Sequence, residues 1–181
     1  MSSGVFSLSR GTVFSRKPSQ YYLAYGSNLS TEQMKERCPD AQVMGTTSIP
    51  GYRLLFKKSG SGFYATIEQD ANCSVPVLVY KISEMDEALL NGYEGFPKHY
   101  YKKYFHLPIY RMDGRRMSDK HNCMVYILHE ERILGEPKLE YFKKLDEGYE
   151  AWGFDTAILD KGLSDSIGVE RSRKFIDSYI K

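Results

Sequence analysis

The stretch Val75-Pro76-Val77-Leu78-Val79-Tyr80-Lys81-Ile82 is nearly continuous apolar sequence, and it constrains the fold more than any other segment. A run this short and apolar reads as a central, buried strand, with Pro76 tolerated near its start, where a missing N–H is not needed. Such a strand needs neighbours, and the chain offers several. Tyr21-Tyr22-Leu23-Ala24-Tyr25 is a second short apolar run. Tyr52, Leu54 and Phe56 alternate between Gly51 and Gly60, and Phe63 to Glu68 follows. Tyr100 to Tyr110 and Cys123 to Leu128 are two more, separated by the Asp113-Gly114 turn and a polar stretch. Fifteen Tyr and nine Phe agree with a β-rich core, because aromatic side chains suit half-buried pleated surfaces. Tyr hydroxyls would equally serve a small-molecule pocket.

Helix signals fall between and after these strands. Ser30 caps a predicted helix, with Gln33 in the capping-box position and Pro39 as its stop. Ser83 caps a short one running to about Gly92, with Met85 and Leu89 on one face. Pro137 fits the first helical position of a third, whose Leu139, Phe142, Leu145, Tyr149 and Trp152 recur at three- and four-residue steps until Gly153. Two amphipathic segments follow, around Thr156 to Leu163 and Ile167 to Ile180. The order predicts an α+β fold, a mixed sheet or barrel with helices packed outside. A length of 181 residues suits one domain, predicted over 21–181 with a helical extension from about 156. Residues 1–20, rich in Ser, Gly and basic residues, read as a disordered leader.

Composition removes several functions. Lys+Arg 25 against Asp+Glu 23 leaves a charge of +2, without the basic excess of a nucleic-acid binder. No apolar run approaches the roughly 18 residues of a membrane span, and the N-terminus has no apolar signal core. Cys38, Cys73 and Cys123 are odd in number and widely spaced, which points away from a disulfide framework and towards a reducing cytoplasm. Their expected place is the core. The four histidines, His99, His106, His121 and His129, form no metal-ligand spacing and are expected at the surface, so no metal and no cofactor is predicted. No Gly-x-Ser-x-Gly elbow, Walker loop or dinucleotide turn is present.

Two short motifs remain. Tyr25-Gly26-Ser27-Asn28-Leu29 joins a buried strand to a helix start; such a junction exposes backbone N–H groups, and Gly lets an anion such as a substrate carboxylate approach the main chain. An ordinary strand-to-helix turn explains the same residues. In Tyr93-Glu94-Gly95-Phe96-Pro97, Glu94 falls just beyond a helix between two aromatics, where lost hydration would raise its pKa towards that of a general acid/base. An exposed loop carboxylate is the plainer alternative.

Taken together and in order, these segments resemble the γ-glutamylcyclotransferase-like (AIG2-like) family. Tyr22 to Leu29 is similar to its N-terminal substrate loop, Leu90-Asn91-Gly92-Tyr93-Glu94-Gly95 with Tyr100-Tyr101-Lys102 to its catalytic-glutamate segment, and Met124-Val125-Tyr126-Ile127 to a strand bearing a pocket tyrosine. Pro137 to Phe154, with Tyr141, Gly148 and Gly153, resembles a helix that many bacterial members carry. Asn91 departs from the acidic residue often found three positions before the glutamate. The resemblance implies a small mixed β-barrel with surrounding helices, and cofactor-free cyclisation of a γ-glutamyl compound to 5-oxoproline with release of an amine. It implies Glu94 as catalytic base and acid, with Tyr22, Leu23, Ala24, Tyr25, Gly26, Ser27, Asn28, Tyr101 and Tyr126 at the substrate. Tyr100 is as eligible as Tyr101. The implied partner is a small γ-glutamyl substrate, with neither nucleic acid nor membrane. The same fold also admits a γ-glutamylamine cyclotransferase, a biosynthetic deblocking enzyme, or a ligand-binding module without turnover.

Overall fold

A computed structural model describes residues 20–179. The leader predicted over 1–20 lies outside them except for Gln20, as does Ile180 of the last predicted helix. The strand β1 (Gln20–Ala24) leads through a 3-10 turn (Ser27–Leu29) into α1 (Thr31–Arg37); β2 (Gln42–Ser59) and β3 (Gly62–Ile82) form a long hairpin. Next come α2 (Glu84–Glu94), β4 (Tyr100–Tyr110) and β5 (Arg116–Leu128), then α3 (Leu139–Trp152), α4 (Thr156–Ile167) and α5 (Val169–Tyr179).

The strands close into a barrel in the order β1-β3-β2-β4-β5. All neighbours are antiparallel except β1 and β5, which pair in parallel through Tyr21 with Cys123 and Tyr22 with Met124. The predicted apolar run is indeed central: Leu78 to Ile82 pairs with β1 on one side and, through Lys81, with β2 on the other. Its side chains Val75, Val77, Leu78, Val79 and Tyr80 are buried in the same core as Leu23, Phe56 and Ile127.

Several boundaries differ from the sequence expectation. The two predicted strands Phe63–Glu68 and Val75–Ile82 are halves of one strand, β3, and Tyr52–Phe56 is part of an 18-residue β2. The register jumps from Pro50–Ser74 to Tyr52–Gln69, so the polar residues between Gln69 and Ser74 form an irregularity within the strand. Pro76 therefore lies inside β3, where β1 pairing has already stopped at Leu78 and leaves an edge. Likewise β5 begins at Arg116, because the polar stretch before Cys123 continues the hairpin.

The helices show the same mixture. Ser30 caps α1 through the Gln33 N–H as expected, but the Gln33 side chain does not turn back to complete a capping box. Ser83 and Asp86 form a full capping box on α2. That commits Asp86 to the inner face with Leu90, and it turns Leu89 outward, against the Met85/Leu89 expectation. In α3 the first helical residue is Leu139, two past Pro137, whereas Phe142, Leu145 and Tyr149 are buried as their spacing implies. On α4, Ser166 Oγ accepts from the Phe56 N–H and donates to the Gly162 carbonyl, docking the helix on β2. Cys38 and Cys123 are buried as expected, while Cys73 lies half-buried in the β3 irregularity, and all three are free thiols. No helix among the described residues is long and apolar enough to cross a membrane.

Barrel closure between β2 and β4 runs through one bridge, Thr46 with Tyr110. Gly45 permits it: at φ +146° its backbone passes so close that a Cβ would stand 2.0 Å from the Tyr110 carbonyl oxygen. Gly45→Ala must therefore open this seam as well as strain the bulge. The expected loss is about 2–3 kcal/mol, a Tm fall of roughly 4–12 °C for a domain of this size, measured by thermal unfolding. An unchanged Tm would mean that the seam contributes nothing to closure.

Candidate active site

The barrel and helices enclose a cavity of about 870 Å³, within the size range of small-molecule sites. One wall is the segment after β1. Tyr22 and residues Tyr25 to Asn28 line it, and the 3-10 turn leaves its first N–H groups without an intrahelical partner. Gly26 has φ −112°, a conformation open to any residue, so its smallness serves space: a Cβ would lie 3.3 Å from the Tyr141 hydroxyl.

Asn28 is the best-connected residue of this wall. Its Oδ1 accepts from Gln33 Nε2 at 3.0 Å and Arg37 Nη1 at 2.9 Å, so the oxygen must face α1 and the amide nitrogen must face the other way. That nitrogen donates to the Tyr22 hydroxyl at 2.8 Å and reaches Glu94 Oε1 at 3.4 Å. The Tyr80 hydroxyl donates to the Asn28 carbonyl at 3.0 Å, fixing the backbone as well.

Glu94 is the last residue of α2, not a loop residue beyond it. Gly95 ends the helix in the left-handed conformation, and a Cβ there would strike the His99 ring at 2.6 Å. The carboxyl is surrounded by protein, and its pKa is raised to about 7, chiefly because burial disfavours the charged form. Arg37 and the Asn28 amide pull it down, so the value reflects desolvation winning over two favourable partners. The desolvating surroundings are not the sequence neighbours Tyr93 and Phe96, both of which are exposed. They are Tyr22, Tyr25, Tyr100 and Tyr126, brought to the same cavity by three segments: β1 with its following turn, β4 and β5. Tyr126 donates to Asn91 Oδ1 at 2.8 Å, so the neutral Asn91 supplies an acceptor without adding a second negative charge near Glu94. The Tyr25 hydroxyl donates to the Tyr126 carbonyl at 2.7 Å.

Of the residues named from sequence, Tyr22, Tyr25, Gly26, Ser27, Asn28, Glu94 and Tyr126 therefore share one cavity. Three others do not line it. Leu23 and Ala24 are buried in the hydrophobic core. Tyr101 faces the other side of β4 and donates to Glu130, which leaves the cavity position to Tyr100. The sequence reading missed Gln33, Arg37, Tyr141, Lys138, Lys144 and His99, all of which line the cavity. Gln33 and Arg37 carried a usable signal, a polar pair at i,i+4 on the helix after the loop. His99 had none, and its place in the cavity departs, for this one residue, from the expectation of surface histidines; His106 is exposed as expected. No cluster of metal-ligating side chains occurs among the described residues.

A family model described as "Gamma-glutamyl cyclotransferase, AIG2-like" matches residues 22–148. The fold is similar to that of a solved structure named gamma-glutamyl cyclotransferase, 22% identical with a TM-score of 0.63, over 86% of this chain and 85% of that one. An uncharacterized protein from Homo sapiens is also 22% identical, with a TM-score of 0.62 over 88% and 87% of the two chains. YkqA from Bacillus subtilis is 20% identical with a TM-score of 0.57, covering 78% of this chain and 52% of its own. No curated protein matches the sequence.

The raised pKa of Glu94 has a stability signature. The folded state holds this proton more tightly than the unfolded chain, whose carboxyl titrates near its ordinary value of 4.5. The group's contribution is full below that value and is lost as pH rises through about 7. Glu94→Gln does not titrate. Its Tm relative to the native protein should therefore rise between pH 5 and pH 8, by about 2–4 °C once partial exposure to the cavity is allowed for. A difference that stays flat or shrinks with pH would show that the carboxyl is not desolvated.

Proposed function

Because the chain belongs to the gamma-glutamyl cyclotransferase, AIG2-like family, we propose that it cyclises the glutamyl part of a γ-glutamyl compound to 5-oxoproline and releases the amine. The observation that carries this is the Glu94 carboxyl, poised near neutrality by burial inside the cavity and held by Asn28. A group with such a pKa can accept and return protons at working pH.

The chemistry asks for little else. The substrate's α-amine is the nucleophile, and folding it against the γ-carbonyl makes the attack intramolecular, with a large gain in effective concentration. An α-ammonium has no lone pair, so Glu94 first removes a proton. The new C–N bond closes the five-membered ring, and the tetrahedral carbon then expels the original amide nitrogen. Two protons leave the α-nitrogen and two arrive on the departing amine, so one carboxylate cycling between its two states carries each in turn. The first N–H groups of the 3-10 turn, which have no intrahelical partner, supply donors for the α-carboxylate or the developing oxyanion. Tyr126 and Tyr100 wall the glutamyl part. The three free cysteines suit a reducing compartment, and we place the activity in the cytoplasm.

Incubation with γ-glutamyl-alanine, followed for 5-oxoproline, tests the proposal. Glu94→Gln should fold, bind substrate, and turn over at least about a hundredfold more slowly. In the native protein kcat/KM should fall on acidification, with an inflection near the Glu94 value of about 7, as the base form is lost. Near-normal turnover by folded Glu94→Gln removes this residue from the mechanism. Since ring closure needs only proton transfers, dialysis against a chelator should leave the rate unchanged; a loss restored by zinc would overturn the cofactor-free reading.

A further inference from the structure

The tyrosines that line the cavity differ in where their hydroxyl protons go. Tyr25 donates to the Tyr126 carbonyl at 2.7 Å and Tyr126 to Asn91 Oδ1 at 2.8 Å, so both protons are committed to the protein. Tyr22 accepts from the Asn28 amide, on the Glu94 side of the cavity, and the Tyr100 hydroxyl has no hydrogen bond among the described residues to fix it. Tyr141 is different. It reaches the cavity from α3, and its oxygen accepts the Ala65 N–H of β3 at 3.1 Å. A phenol oxygen that accepts from a backbone N–H must point its own hydrogen elsewhere, and no acceptor for it occurs among the described residues. The ring is held as well, edge to face against Tyr64 with centroids 5.1 Å apart at 80°.

The same hydroxyl is what a Cβ at Gly26 would meet at 3.3 Å, so it stands against the turn whose first N–H groups lack an intrahelical partner. Two kinds of donor therefore meet on one wall of the cavity. Burial holds the phenol well above its ordinary pKa against the pull of the Ala65 N–H, and the Glu94 carboxylate adds to the rise, so the hydroxyl keeps its proton at working pH. A neutral donor suits a place near Glu94. A second cation would join Arg37 in favouring the charged carboxylate and depress the pKa that the proton shuttle needs. A hydroxyl does not, and its bond strengthens when negative charge develops on the acceptor.

We propose that the Tyr141 hydroxyl is the oxyanion donor of the ring-closing step, a role that rests on the cyclotransferase reading. As the α-nitrogen lone pair forms the new bond to the γ-carbon, the π pair of the γ-carbonyl moves onto its oxygen, and that oxygen accepts the Tyr141 O–H beside a turn N–H. Tyr141 transfers no proton. When the tetrahedral carbon collapses, the pair returns to the carbonyl, the bond to the amide nitrogen breaks, and the amine leaves with the proton that Glu94 returns. Gly26 is then small because a Cβ would displace the donor.

The test follows γ-glutamyl-alanine turnover and reads kcat and KM separately. Tyr141→Phe keeps the ring, and should lower kcat about a hundredfold while KM stays within about twofold and the inflection near pH 7 persists. Tyr179→Phe removes a hydroxyl that bonds α3 through Asp146, outside the cavity, and should leave both constants native. Gly26→Ala should lower kcat several-fold by pushing the hydroxyl aside, and should add little to Tyr141→Phe, because both act on one bond. A folded Tyr141→Phe with kcat within about threefold of native, or with its loss confined to KM, overturns the role and leaves the cyclotransferase reading standing. So does an equal loss in Tyr179→Phe, or losses that multiply in the Gly26→Ala/Tyr141→Phe double variant. If thermal unfolding shows Tyr141→Phe to be unfolded, Gly26→Ala decides alone: a fall in kcat at native KM supports the donor, and any other pattern overturns it. A native protein that forms no 5-oxoproline overturns the cyclotransferase reading and the donor with it.

Discussion

One buried amide, Asn28, holds the parts of the site in register. Its four side-chain hydrogen-bonding positions are all occupied, and its carbonyl takes a fifth bond from Tyr80. Those partners come from β1, β3, α1 and α2, so one side chain ties two barrel strands to the two helices beside the cavity. Dispersion and burial can press these elements together, but they do not specify an angle or a half-ångström position. A fully satisfied polar node does, because each misplacement would leave a buried donor or acceptor unpaired. Glu94 inherits its placement from that node.

The carboxyl is thus set by opposed influences, of which removal from water is the largest. Removal from water favours its protonated form, while Arg37 and the Asn28 amide favour the charged one. Neither extreme would suit a shuttle. A fully exposed glutamate gives up its proton too readily to return it, and a glutamate beside a second acid would hold it too firmly. Asn91 fits this balance, since it accepts from Tyr126 while remaining neutral.

Much of this was legible in the chain because local chemistry carries it. The apolar run at Val75–Ile82, the caps at Ser30 and Ser83, and the α3 stripe through Phe142, Leu145 and Tyr149 all rest on short-range rules, and the structure follows them. The ordered motifs around Tyr25–Asn28 and Glu94 fall on one cavity. Failures arose where distant segments decide. Polar residues at 70–73 and 116–122 read as breaks because nothing local shows that a partner strand pairs around them or beside them. Tyr100 and Tyr101 differ only in which side of the pleat faces the cavity, a parity fixed by the register against β5. Lys138, Lys144 and His99 carry no pattern at all until α3 and the segment after Glu94 are laid against the barrel.

The parallel pairing of β1 with β5 has a consequence for how this protein comes into being. The Tyr25 hydroxyl and the Tyr126 carbonyl that it meets are 101 residues apart in the chain, and no ring of strands exists until that span has been gathered. Closing so large a loop forfeits entropy before any contact rewards it, so the last strand to be synthesised decides when the core seals. Until then the β2–β3 hairpin presents open edges, able to recruit another chain as readily as their own. During synthesis the protein is therefore a ribbon with exposed seams, and a ribosome that pauses before β5 leaves it in that state.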